Sequence, residues 1–152
     1  MNVIVQKDFE PEEVLKKPLM AHLLTVENGE PRDSPVWFLW EEGCLWIVGT
    51  AQDSFIRQLK KGHRCAVGVV DFDLDRGVLK HVGIRGETRL GKVDKERLQR
   101  HLSKYLGEDQ AQWNQWFIEN ITCPLEYMVQ VIPKTIVAKN VSYFKTGPNL
   151  AM

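Results

Sequence analysis

The chain has few cysteines, no surplus charge, no long apolar run and no metal-ligand spacing, and each shortage removes a class of function. Cys44, Cys65 and Cys123 are odd in number, widely spaced and set among apolar residues, so they read as reduced, buried thiols rather than disulfides or a zinc cluster. Twenty basic and twenty acidic residues give a formal net charge of zero, which leaves no electrostatic case for nucleic acid or an anionic membrane as partner. No stretch reaches the roughly 18 apolar residues of a transmembrane helix. Met1 to Lys7 lacks a signal peptide's charged start and long apolar segment, so a soluble, cytoplasmic chain is expected. His22, His63, His81 and His101 are scattered, without metal-ligand spacing and without a serine or cysteine nucleophile motif beside them, and no chemistry is assigned to them. Repeats, linkers and low-complexity segments are absent. With 152 residues and 43% hydrophobic content, the chain reads as one domain, 1–152, with a real core.

What is present is concentrated in one run, Pro35-Val36-Trp37-Phe38-Leu39-Trp40-Glu41-Glu42-Gly43-Cys44-Leu45-Trp46-Ile47-Val48-Gly49-Thr50. It reads as two strands joined by a tight turn. Alternate side chains of a strand face opposite ways, so Val36, Phe38 and Trp40 take one side while Trp37 and Leu39 take the other. Both sides demand burial. A small antiparallel sheet meets that demand by closing into a barrel whose outer wall is covered by a second subunit or a large ligand. The exposed Trp37 face would otherwise exceed what soluble monomers usually show to water, so a homodimer is expected.

The remaining elements follow from periodicity and punctuation. Pro11 and the acids around it open a short helix over 11–17, and Pro18 stops it. A strand at 19–27 turns at Asn28-Gly29 into a second strand at 31–40, and a third covers 44–49. Asp53 or Ser54 caps a helix that ends at Gly62, with Phe55, Ile56 and Leu59 on its apolar side and Ser54, Arg57, Gln58 and Lys61 on a polar face. Strands at 64–72 and 78–93 follow, the second carrying Gly83, Gly86 and Gly91 as bend or bulge signals. Asp94 opens a helix with the stripe Leu98, Leu102, Tyr105, Leu106. A further helix carries Trp113, Trp116, Phe117 and Ile121 and closes at Cys123-Pro124. The final strand, 126–138, is interrupted by Pro133, and a tail covers about 140–152.

In this order the motifs resemble the pyridoxamine 5'-phosphate oxidase-like family of split β-barrels. Ala21 to Arg32, with its Thr-Val ending and Gly-x-Pro turn, is similar to the family's opening hairpin. Pro35-Val36-Trp37-Phe38 resembles its most recognisable motif. Gln58-Leu59 followed by Arg64, Val82-Gly83-Ile84-Arg85-Gly86-Glu87, and Tyr127 to Pro133 resemble three later passages, so the likeness spans roughly residues 8–140.

The resemblance implies a mainly β fold with flanking helices: a six-stranded antiparallel split β-barrel, dimeric, with a helical insertion at about 94–122. It also implies a flavin in a groove at the subunit interface, FMN first, with a deazaflavin or heme in some members. Redox chemistry then belongs to the cofactor, and no catalytic triad or metal site is expected. Carried over residue by residue, Val36, Trp37 and Phe38 run beside the flavin ring, and the phosphate lies near Gly49, Thr50 and the helix start. There the chain departs from the pattern. The family's Thr-Asn positions hold Val48 and Gly49, and its Ser-Arg-Lys positions hold Asp53, Ser54 and Phe55. A charge-assisted hydrogen bond is worth roughly 1.5 to 3 kcal/mol, so losing two weakens FMN by roughly a thousandfold. Thr50, Ser54, Arg57 and Lys61, with the helix N-terminus, are the compensating candidates. Two readings result: a flavin-dependent oxidoreductase of unknown small substrate, or a split-barrel dimer that has lost flavin and binds a small molecule or a partner. For Trp37, Trp40, Trp46, Trp113 and Trp116, ordinary packing is the expectation placed ahead of a ligand role, and solvated charge is the ordinary reading of Arg57, Lys60 and Lys61.

Overall fold

The computed structural model describes residues 2–6, 9–122 and 125–142; Cys123-Pro124 and nearly all of the expected tail lie outside them. The elements run β1 (Asn2–Gln6), α1 (Pro11–Leu15), β2 (Ala21–Glu27), β3 (Glu30–Val36), β4 (Leu39–Glu41), β5 (Cys44–Gly49), α2 (Ser54–Lys61), β6 (Arg64–Asp73), β7 (Val78–Gly91), α3 (Lys95–Leu106), α4 (Gln115–Thr122) and β8 (Tyr127–Asn140). Among the described residues the sheet has eight strands rather than six. Seven are joined in the antiparallel order β3-β2-β6-β7-β8-β5-β4, and β1 adds parallel to the second half of β8.

The expected single strand 31–40 is two strands. β3 pairs with β2, and β4 pairs with β5, at opposite ends of the sheet. The hydrogen-bonded ladder is therefore open at β3 and β4, and the chain itself crosses the seam at Trp37-Phe38. Turn chemistry fixes the flanking hairpins: Asn28-Gly29 (φ 52° and 77°) and Glu42-Gly43 (φ 58° and 70°) both take the left-handed conformation that two-residue hairpin turns require. The final strand runs through Pro133 without a break. The irregularity signalled by the proline falls beside it: Gly86 pairs with Pro133 and Arg85 with Thr135, so Lys134 is the bulged residue, and a side chain on Gly86 would collide with the Ile132 backbone.

The interior holds Ala21, Leu23, Phe38, Leu45, Ile47, Val67, Val69, Val82, Ile84, Val129, Val131, Ile136 and Ala138 in one apolar cluster. Val14 and Leu15 of α1 belong to it, as do Phe55, Ile56 and Leu59 of α2. A second cluster lies outside the wall. There Leu98 and Leu102 of α3, with Trp113 and Met128, pack against Trp37, Trp46, Val48, Phe117 and Ile118. The chain's own helices thus pack against the outward face of the central hairpin, where a second subunit was expected, and leave Trp37 half-buried. Trp37 stacks on Tyr105 at 4.4 Å between ring centroids and on Phe117 at 5.5 Å.

Three smaller expectations change with this packing. Gln58 is buried rather than on a polar face, since its side chain bonds Thr25 and donates to Glu27 (3.1 Å). Trp113 precedes α4 and is buried, whereas Trp116, expected as core, is 55% exposed. Cys44 is buried and Cys65 only partly so, both as free thiols. Among the described residues no helix is long and apolar enough to cross a membrane, and no cluster of His, Cys, Asp and Glu has the form of a metal site.

Candidate functional site

The site is built where the seam of the sheet meets α3. Leaving one ladder before joining the other strips Phe38 of strand partners, and its buried backbone groups must be satisfied some other way. Helix α3 supplies them. The Phe38 N–H donates to the Tyr105 hydroxyl (3.0 Å), which in turn donates to the Leu19 carbonyl (2.7 Å). The Lys104 ammonium donates to the carbonyls of Phe38 and Leu15, both at 3.0 Å, and lies 3.5 Å from the centre of the Phe38 ring. Burial pushes the Lys104 ammonium down to about 7 and the Tyr105 phenol up to about 12.

Ion pairs clamp the other end of α3 to β4. Arg97 and Arg100 both donate to the Glu41 carboxylate (2.8 and 2.7 Å), and the Arg97 guanidinium covers the Trp46 ring at 3.7 Å. The bonds from Arg100 and Arg97, working against burial, hold Glu41 down to about 2. The helix itself starts cleanly, with the Asp94 side chain accepting from the N–H groups of Glu96 and Arg97.

Between this helix layer and the wall lies a cavity of about 280 Å³, lined on one side by Pro35, Val36, Trp37, Val48, Asp53 and Phe55. His101, Leu102, Trp116, Phe117 and Leu125 line the other. His101 is 1% exposed, and neither ring nitrogen has a hydrogen-bond partner. Burial, helped by the Lys104 charge, pushes its imidazole down to about 4, so it is neutral at ordinary pH.

Of the residues carried over from the family motif, Val36 and Trp37 line this cavity. Phe38 points into the barrel interior, and the others lie at the end of β5 and on α2. Gly49 is tightly enclosed: a Cβ there would stand 2.9 Å from the Phe55 ring and 3.0 Å from the Asp53 carboxylate. The Thr50 N–H donates to Asp53 Oδ2 (2.8 Å), so this chain's own carboxylate takes the backbone donor that an anion would seek. Arg57 donates to the Gln52 carbonyl (2.8 Å), Lys60 to the Tyr127 hydroxyl (2.8 Å), and Ser54 and Lys61 are exposed. Among the described residues, no cationic side chain lines the cavity. A flat apolar ring system matches these walls; a phosphate at the end of β5 does not, because Asp53 and Phe55 fill the place.

His101 is the residue the sequence reading missed. Its signal was positional, since it falls three residues after Leu98 and four before Tyr105, on the apolar stripe of α3 rather than its wet face.

No protein-family model and no curated protein matches the sequence. Solved structures do. A conserved hypothetical protein from Mycobacterium tuberculosis, Rv2991, superposes with a TM-score of 0.70 at 17% identity, over 90% of this chain and 86% of that one. An F420 reductase gives 0.64 at 21% identity, over 86% and 98%. A FAD- and heme-binding protein from Mycobacterium smegmatis gives 0.65 at 16% identity, over 89% and 73%. This chain therefore shares its fold with these proteins over most of their lengths, in keeping with the fold expected from the motif resemblance. At these identities the likeness defines the fold, and the function is argued from the site.

Proposed function

We propose that the protein is a cytoplasmic, homodimeric oxidoreductase that uses a flavin-type cofactor, FMN first, on a small substrate. The observation that carries this reading is the aromatic-walled cavity against Val36 and Trp37, on a fold shared with proteins named for F420 and for FAD and heme. In this reading the ring lies along Val36, Trp37 and Phe38. With the end of β5 filled by Asp53 and Phe55, the polar end would lie outside Gly49 and Thr50, toward the exposed Ser54, Arg57 and Lys61. Bound, such a cofactor supplies hydride or electron transfer. No side chain is given a catalytic role.

The Asp53 to Thr50 bond favours a second reading, in which the barrel holds a small molecule without flavin. One experiment separates the two: the visible absorption of purified protein before and after incubation with FMN and desalting, for the native chain and for Asp53→Ser. A stoichiometric flavin spectrum, retained at least tenfold better by Asp53→Ser, supports the first reading. Two colourless proteins overturn it in favour of the second.

A further inference from the structure

We propose that the groove on the outer side of β2, β6 and β7 is a second binding site, for a small phosphate monoester, with Arg64 and Arg85 as its two cations. The groove lies at the opposite end of α2 from the cavity of the flavin reading and does not depend on that reading. Asp53 and Phe55, at the start of α2, line the first cavity, whereas Gln58 and Gly62, toward its end, line the groove.

The argument starts from charge. The groove measures about 860 Å³, within the range of small-molecule sites. Arg64, Arg85 and Lys134 line it beside His63, and Glu87 is its one acid among the described residues. On strand register Glu87 stands opposite Arg64, where it would be expected to neutralise it. The bulge changes that pairing. Lys134, the extra residue, donates to the Glu87 carboxylate at 2.6 Å. That bond is the first cause holding the Glu87 carboxyl below the usual carboxylate range, and the Arg64 charge is the last. Arg64 and Arg85 are left exposed, with no hydrogen bond or ion pair among the described residues. Because Ala66 stands opposite Arg85, the two arginines are diagonal neighbours on one face, roughly 7 to 8 Å apart along the ladder. Like charges at that spacing repel, and an anion between them attracts both. Phosphate suits the pair better than carboxylate, since its three terminal oxygens serve two planar guanidinium forks. Leu24, Val26 and Pro31 give the organic part of the ligand an apolar seat. Leu24 and Val26 also belong to the open outer face of β2, so a second copy resting there would form a wall of the groove.

Phenyl phosphate, benzoate and inorganic phosphate serve as probes, measured by titration calorimetry at low ionic strength on the protein as it assembles. Phenyl phosphate is expected to saturate one site per chain, and benzoate and inorganic phosphate to bind more weakly. Arg64→Gln and Arg85→Gln should each weaken phenyl phosphate by about tenfold or more, the weight of a charge-assisted hydrogen bond. Glu87→Gln, which releases Lys134, should tighten it. Lys95→Gln, at an exposed cation on α3 outside the groove, should change nothing. Absence of saturable phenyl phosphate binding overturns the proposal. So does a loss in Lys95→Gln equal to that in the arginine variants, which would mean diffuse attraction, or weaker binding in Glu87→Gln. Equal binding of benzoate overturns the phosphate class, and equal binding of inorganic phosphate overturns the apolar seat. FMN is itself a phosphate monoester, so its retention is measured on the same variants. Loss of FMN together with phenyl phosphate would make the groove the flavin's own phosphate site and overturn a second site. A colourless protein that still binds phenyl phosphate supports the groove while the flavin reading fails.

Discussion

The barrel has two apolar outer walls, and the chain treats them differently. Over β5 and β8 the wall carries Trp46, Val48 and Met128, and helices α3 and α4 lie across it. Over β2 and β6 it carries Leu24 (39% exposed), Val26 (64%) and Val70 (43%), with nothing of the described chain upon them. The first wall is closed by side chains that also repair the broken backbone at Phe38. The second is a plain alternating surface, its even-numbered β2 residues outward and its odd-numbered ones in the core. A wall that needs polar repair is closed within the chain, because Tyr105 and Lys104 must reach Phe38 with fixed geometry. A wall that needs only apolar cover is open to a second copy.

The largest effect is expected where the first wall is opened. Trp37 joins the hairpin to Tyr105 and Phe117, and Trp37→Ala removes that stack and the cover over the cavity. A loss of about 3 to 5 kcal/mol follows for truncating a large packed aromatic. Urea unfolding read by circular dichroism measures it. A loss below about 1 kcal/mol would mean that α3 and α4 hold to the wall without Trp37.

The next effect comes from the titration of the same layer. His101 is held down to about 4, against an ordinary 6.5, so between those values the unfolded chain takes a proton that the folded one refuses. Stability therefore falls as pH drops from 6.5 toward 4, by about 3 kcal/mol over the full window. His81, lowered by burial and the Lys139 charge, adds to the same trend. Urea unfolding at pH 6.5 and 4.5 should show the decline, and His101→Leu should keep only the His81 share. An unchanged slope in that variant would remove His101 as its source.

The legible part of this molecule is the part set by local chemistry. Asn28-Gly29, Glu42-Gly43, the Asp94 cap and the 44–49 alternation each announce their structure within a few residues, and the motif order carried the fold. The split of 31–40 was not legible. Pro35 to Trp40 reads as one extended run, and only the pairing of β3 with β2 and β4 with β5 decides that it changes edges at Trp37-Phe38. β1 escaped notice for the same reason, because its partners Thr135 to Lys139 lie at the other end of the chain. At the site, Val36 and Trp37 were read from the motif. His101 was passed over, although its place three residues after Leu98 and four before Tyr105 put it on the buried stripe of α3.

The smallest effect tests the open wall. On strand register, Leu24 lies beside Ala66 and His22 beside Gly68, so Val26, Leu24 and Val70 belong to one continuous outer face of β2 and β6. The homodimer proposed above is placed on this face, where a twofold-related copy of the same chain would cover both strands. Placing one charge on each strand, with Val26→Lys and Val70→Lys, sets like charges against one another across that axis. The dimer should weaken by about a hundredfold, close to 3 kcal/mol. The folded monomer should be unaffected, because both side chains already stand in water. Sedimentation equilibrium of the native and doubly substituted chains decides it. A native chain that sediments as a monomer, or a dimer that ignores both lysines, would leave the two walls alike in needing no partner.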